Sequence, residues 1–227
     1  MVLLENAGYA LLRKYFSDRP YYLSLAELLQ DNGLKMCVGQ GLDLLASTTT
    51  DIARFDMKLY KEIVYLKTSY FGFCVPISSA LIMVGIYNNG LSEHEVVEIT
   101  EKFTREIGLI FQIQDDFVDV FGDVNNNGKS STDIPNGKCA WPIVVALELA
   151  NPAERRTLIE NYGKPNADQV SVVKGMFAEL DIIQKYPKHL ASIKQNIEIV
   201  IANIPKSVAG KEIVTIFKKI IAKILKI

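Results

Sequence analysis

Phe111-Gln112-Ile113-Gln114-Asp115-Asp116-Phe117-Val118-Asp119-Val120-Phe121-Gly122-Asp123 sets its aspartates along one side of a helix. With about 3.6 residues per turn, Gln112, Asp115/Asp116, Asp119 and Asp123 fall at i, i+3/i+4, i+7 and i+11, while Ile110, Ile113, Phe117 and Phe121 line the opposite side. Carboxylates stacked in this way repel one another and weaken a helix by a few tenths of a kcal/mol per pair, unless a cation lies between them. Oxygen ligands with no neighbouring His or Cys select a hard cation, magnesium or calcium. The alternative is a solvated acidic face. Against it, Leu109, Ile110, Phe111, Ile113, Phe117, Val118, Val120 and Phe121 make the helix apolar nearly all round, which predicts burial, and a buried carboxylate must be paired or coordinated.

Around this helix, the 227 residues suffice for a full core and contain no compositional break, so residues 1–227 are expected to form a single domain. The chain is 49% hydrophobic, with a mean hydropathy of +0.14 and a formal charge of −1, which argues against disorder and against non-specific nucleic-acid binding. Cys37, Cys74 and Cys139 are odd in number, far apart and without metal-ligand spacing. They are expected to be buried small hydrophobes in a reducing compartment, and with no signal-peptide pattern after Met1 the expected location is cytoplasmic. Thr68 to Ser92 carries no charge and is long enough to span a membrane. Pro76, Ser78, Ser79 and Gly85 interrupt it, which favours a core helix kinked at its proline over a membrane span.

The remaining punctuation is helical throughout. A short amphipathic helix over 3–16 ends at Ser17-Asp18-Arg19-Pro20, and Ser24-Leu25-Ala26-Glu27 has the form of a capping box opening a helix to about Ala46, weak at Asn32-Gly33. Asp56 can cap the next helix, and Ser92-Glu93-His94-Glu95 opens the acidic one. Trp141 to Ala150 is helical, Asn151-Pro152 caps its successor, and further helices are expected over about 153–162, 167–185, 187–203 and 206–226, broken at Gly163, Pro165, Pro187 and Pro205. No strand alternation and no repeat are visible, so the fold class is all-α.

The loop after the acidic helix admits three readings. A phosphate-cradling loop fails, because Gly122 and Gly128-Lys129-Ser130 enclose five residues where the motif has four and follow a helix instead of a strand. A calcium loop matches at Asp123, Asn125, Asn127 and Gly128, but its bidentate Glu is replaced by Ile134. The third takes helix and loop together: an acidic stripe followed by Lys129, Asp133 and Lys138 is suited to gripping a diphosphate, since a magnesium ion and ammonium groups neutralise the same oxygens.

The motifs Phe111-Gln-Ile-Gln-Asp-Asp-x-x-Asp119, Gly128-Lys129-x-x-Thr132-Asp133-Ile134 and Lys138-Cys139-x-Trp141 resemble the second aspartate-rich region of the farnesyl diphosphate synthases of eukaryotic type. Arg19-Pro-Tyr-Tyr, Gly39-Gln40-x-x-Asp43-Leu, Tyr65-x-Lys67-Thr68, Glu160-Asn-Tyr-Gly163 and Glu179-Leu-Asp181 are similar to further landmarks of that family, in the same order. The resemblance implies a helical bundle of isoprenoid-synthase type around a central cavity, a homodimer, and magnesium-dependent condensation of an allylic diphosphate with isopentenyl diphosphate. It implies that Asp115 holds magnesium, supported by Asp116 and Asp119, with Asp133 among the same carboxylates. It further implies that Lys67, Lys129 and Lys138 contact the diphosphate, that Gln112 and the Thr68 carbonyl face the developing cation, and that Gln40 and Asp43 belong to the same cavity wall. The family's first aspartate-rich motif has no counterpart in this sequence, which on the resemblance corresponds to the C-terminal part of the fold, with its N-terminal helices missing. Such a chain is expected either to carry part of a synthase or to be a synthase-derived protein that binds diphosphate, a cation or a partner subunit without turnover.

Overall fold

Local capping chemistry places several elements where the sequence marks them. The structure, a computed structural model, describes residues 2–48, 51–122 and 132–224, and no strand occurs among them. Helices α1 (Val2–Phe16) and α2 (Tyr22–Thr48) are followed by a single 3-10 turn (Ile52–Arg54). Next comes α3 (Met57–Val64), whose first turn is closed by Asp56 accepting the Leu59 N–H at 2.7 Å. It continues through a π-helical segment (Tyr65–Cys74) into α4 (Val75–Met83). Helix α5 (Glu93–Phe121) opens with the reciprocal Ser92–Glu95 capping box. The Asn151 cap and the Glu154 carboxylate start α7 (Pro152–Asn161) just after α6 (Trp141–Leu149). Helices α8 (Ala167–Glu179), α9 (Ile182–Ala202) and α10 (Val208–Ile224) complete the all-α order.

Where tertiary contacts compete with local signals, the signals lose. Ser24 does not cap α2; it lies inside the helix, and its hydroxyl donates to Glu93 at the start of α5. Asn32-Gly33 does not weaken α2, which passes through both, with Asn32 buried and Gly33 facing Glu5 of α1. The expected kink at Pro76 is replaced by π-helical turns ahead of it, and the proline sits in the first turn of α4, where its missing N–H is least costly. The chain turns at Asp181 (φ 56°) instead of at Pro187, which lies inside α9 near its start. Cys37 is exposed, while Cys74 and Cys139 are buried.

Helix α5 is the shared strut. It packs against the π-helical segment, α4, α6, α9 and α10, and its Ile107, Ile110 and Ile113 are wholly buried. Phe103 stacks on Phe217 of α10 with ring centres 3.8 Å apart, and Phe117 stacks on Tyr186 of α9 at 4.1 Å. The helix is not apolar-buried all round, as Phe111 and Val118 are 43% and 47% exposed. On the far side, Leu3, Leu4 and Leu11 of α1 and Leu23, Leu34, Val38 and Leu45 of α2 are also exposed. Met57 to Met83 is long and apolar enough to cross a membrane, yet it packs between α2 and α5 and carries Lys67 near its middle.

Candidate functional site

Two glycines let the π-helical segment approach its neighbours at backbone distance. A Cβ on Gly39 of α2 would lie 2.7 Å from the Lys67 nitrogen, and one on Gly108 of α5 would lie 2.6 Å from the Ser69 Cα. The segment is thus held between two helices, and Lys67 and Thr68 are brought opposite Asp43 and Gln112. Between them lies a cavity of about 160 Å³, lined also by Tyr60, Asp115, Asp116, Asp133 and Lys138.

Asp43 is 5% exposed and accepts from both lysines through one oxygen: Lys67 Nζ at 2.7 Å and Lys138 Nζ at 2.8 Å to Oδ2. Burial alone would raise its carboxyl, but the Lys138 and Lys67 hydrogen bonds and charges outweigh that and hold it below the usual range. Lys138 reaches the cavity from the turn after Asp133, where Gly137 adopts φ 62° and the Tyr162 hydroxyl donates to the Lys138 carbonyl at 2.7 Å.

The aspartates of α5 divide their work. Asp116, at 4% exposure, accepts from the Tyr60 hydroxyl at 2.8 Å, the Trp141 N–H at 2.7 Å and the Gln112 amide at 2.8 Å. An acceptor-only carboxylate requires the amide N–H of Gln112 on its side, so the Gln112 carbonyl oxygen faces the other way and accepts from the Thr68 hydroxyl at 2.9 Å. Asp119 lies outside the cavity lining and accepts from the backbone N–H groups of Thr132 and Asp133 at 3.0 and 3.1 Å, which ties the turn carrying Asp133 to α5. Asp115 lines the cavity with its side chain exposed.

Of the expected site residues, Asp43, Lys67, Thr68, Gln112, Asp115, Asp116, Asp133 and Lys138 meet at this cavity. Gln40 is exposed and does not line it. Lys129 and the calcium-loop positions Asp123, Asn125, Asn127 and Gly128 lie outside the described residues. Sequence reasoning missed Tyr60 and the Trp141 N–H as the partners of Asp116. The i, i+7 spacing of Tyr60 and Lys67 was the available signal for the first.

Unmatched negative charge accumulates here. Burial, then the Asp116, Asp119 and Asp115 carboxylates, push the Asp133 carboxyl up to about 7 against the pull of Lys138. Burial likewise raises Asp116 to about 6 in spite of its three donors. Both bind a proton more readily folded than unfolded, where an aspartate titrates near 4. Their contribution to stability is therefore complete below about pH 4 and is lost as pH rises through about 6 and then about 7. Melting curves of the cation-free protein should record this decline, and Asp133→Asn should flatten its upper part; an unchanged slope in that variant would contradict the charge cluster.

A family model described as polyprenyl synthetase matches residues 2–180. Among curated relatives, the farnesyl pyrophosphate synthase of Bos taurus is 40% identical over 189 residues, covering 82% of this chain and 52% of that protein. The farnesyl pyrophosphate synthase of Homo sapiens is 42% identical over 182 residues, covering 79% and 42%. Farnesyl pyrophosphate synthase 2 of Lupinus albus is 35% identical over 228 residues, covering 99% and 64%. The chain thus spans about half the length of the curated mammalian relatives it matches. Its helices superpose on the solved structure of T. brucei FPPS in complex with 2-(5-chlorobenzo[b]thiophen-3-yl)acetic acid with a TM-score of 0.86 at 26% identity, over 99% of this chain and 66% of that one. The helical order, the cavity beneath the acidic helix and the extent of these matches agree: the chain belongs to the polyprenyl synthetase family.

Proposed function

We propose that this chain carries the diphosphate-binding wall of a prenyltransferase that condenses an allylic diphosphate, dimethylallyl or geranyl, with isopentenyl diphosphate to give farnesyl diphosphate. The observation that carries this reading is the meeting, in one cavity, of two lysines with a cluster of aspartates beside an oriented amide. The family and its farnesyl pyrophosphate synthase relatives supply the reaction class.

Magnesium suits the donor set. The ligands are oxygens alone, Asp115 presents its carboxylate to the cavity, and Asp133 stands in a field of neighbouring carboxylates that a divalent cation would relieve. Among the described residues no three His, Cys, Asp or Glu side chains form a ready cage, and magnesium on a diphosphate needs just one or two carboxylates, the rest coming from phosphate oxygens and water. Asp115 and Asp133 would hold the ion, with Asp116 and Asp119 setting the positions of helix and turn. Bound there, it would supply positive charge to the leaving diphosphate.

The chain's own groups do the remaining work. Lys67 and Lys138 add ammonium charge at the same diphosphate oxygens, easing heterolysis of the allylic C–O bond, whose electron pair leaves with the diphosphate. The carbocation that remains forms its C–C bond with the isopentenyl double bond, and loss of a proton restores an alkene. Until then it must meet dipoles and not water. The Gln112 carbonyl, fixed through Thr68 and Asp116, supplies such a dipole, and Ile63 and Val64 supply apolar wall.

The second reading is a helical protein that holds diphosphate and a cation without turnover, and the same cavity of two lysines and clustered aspartates supports it. Incubating the protein with geranyl and isopentenyl diphosphates and magnesium, and measuring farnesyl diphosphate by mass spectrometry, separates the two. Product that disappears in Asp115→Ala establishes the transferase, whereas metal-dependent diphosphate binding with no product establishes the binding protein.

A further inference from the structure

We propose that Asp43 is an internal counter-anion that makes diphosphate binding depend on magnesium. This rests on the diphosphate reading above and goes beyond it. Asp43 is not placed as a ligand; it is a positioning residue that acts through Lys67 and Lys138.

The geometry is unusual in one respect. Among the described residues, the two ammoniums lining the cavity both converge on a single oxygen of one buried carboxylate, at 2.7 and 2.8 Å. Asp43 has 7% of its side chain exposed, while the lysines have 37% and 30%, so the anion is fixed and the cations lie at the cavity mouth. A diphosphate arriving alone would meet two lysines whose joint charge is already halved by Asp43. It would also meet the carboxylates of Asp115, Asp116 and Asp133, so that among the described lining residues four carboxylates face two ammoniums. Coulomb repulsion then works against a free diphosphate and in favour of one that brings its own cations. With magnesium present the same four carboxylates become assets, and the lysines can share their hydrogen bonds between Asp43 and a phosphate oxygen without leaving either anion bare. Asp43 thus holds the two ammoniums back from the uncomplexed ligand while leaving them able to serve the complexed one, a form of specificity that comes from repulsion.

The test is calorimetric titration of wild type, Asp43→Asn and Asp43→Ser with inorganic pyrophosphate, once with magnesium and once in EDTA, with melting temperatures taken in parallel. Wild type should bind with magnesium and be at least about tenfold weaker in EDTA. Both variants should gain about tenfold in EDTA and change less than about threefold with magnesium, so that the ratio between the two conditions collapses. A merely structural role would weaken binding in both conditions, and that result, or an unchanged ratio, overturns the proposal. Loss of the fold in both variants overturns it too, since lysines about one-third exposed and freed of their counter-anion are readily solvated. If wild type binds no pyrophosphate even with magnesium, the diphosphate reading itself fails.

Discussion

Asp115→Ala and Asp116→Ala, neighbours on α5, should fail in opposite ways. Asp116→Ala is expected to lose about 2–4 kcal/mol of stability, lowering the melting temperature by roughly 5–15 °C in a chain of this size. It leaves the Tyr60 hydroxyl and the Trp141 N–H, both fully buried residues, without an acceptor, and frees the Gln112 amide. The burial that raises its carboxyl to about 6 means that the ionised form is held at some cost, which the substitution recovers. Three orphaned donors outweigh that gain. Asp115→Ala touches nothing comparable, as its side chain is exposed and its contact to Gln112, at 3.5 Å, is at the limit of a hydrogen bond. Its melting temperature should stay near wild type, while magnesium-dependent pyrophosphate binding drops on the order of 100-fold. Thermal melts and calorimetry on the pair decide the matter; equal destabilisation, or full binding by the Asp115 variant, would remove the division of labour.

Gly39→Ala should damage fold and site together. The added methyl would sit 2.7 Å from both the Leu66 Cβ and the Lys67 nitrogen and 2.8 Å from the Leu66 carbonyl carbon, and backbone atoms cannot rotate aside. The π-helical segment must shift, at a cost of about 1–3 kcal/mol or more, carrying Lys67 and Thr68 away from Asp43 and Gln112. Gly108→Ala presses on the same segment from α5 through Ser69. Gly175→Ala is the control, for beyond the local backbone of α8 no atom lies within 4 Å of its Cβ position, and alanine there should add roughly 0.5–1 kcal/mol. Melting temperature and pyrophosphate affinity should fall together in the first two variants. A Gly39→Ala protein with wild-type values for both would show that the helices are not packed at backbone distance.

Asp56, Ser92 with Glu95, and Asn151 with Glu154 were legible as caps because a cap is local: donor and acceptor lie within three residues. Ser24-x-x-Glu27 carries the same pattern and was misleading, because α5 delivers Glu93 to the serine from 69 residues away. Pro187 carries the usual signal of a break, but the chain turns at Asp181 and the proline falls near the start of α9, where it is tolerated. At the site, helical spacing placed Asp115, Asp116 and Asp119 together without ranking them. What separates them is Tyr60, Trp141 and the Thr132–Asp133 turn, all reached through tertiary packing. The Asp43 clamp was hidden for the same reason, since its lysines come from the π-helical segment and from the turn before α6.

One cavity is expected to hold a divalent cation on Asp115 and a diphosphate on Lys67 and Lys138. Diffraction from crystals grown with manganese and pyrophosphate, recorded at the manganese edge, locates both at once. Anomalous density is expected at the Asp115 carboxylate, and pyrophosphate oxygens within hydrogen-bond reach of both lysine Nζ atoms. Manganese or pyrophosphate bound elsewhere, with the Asp43–Lys67–Lys138 cluster bare of ligand, would contradict it.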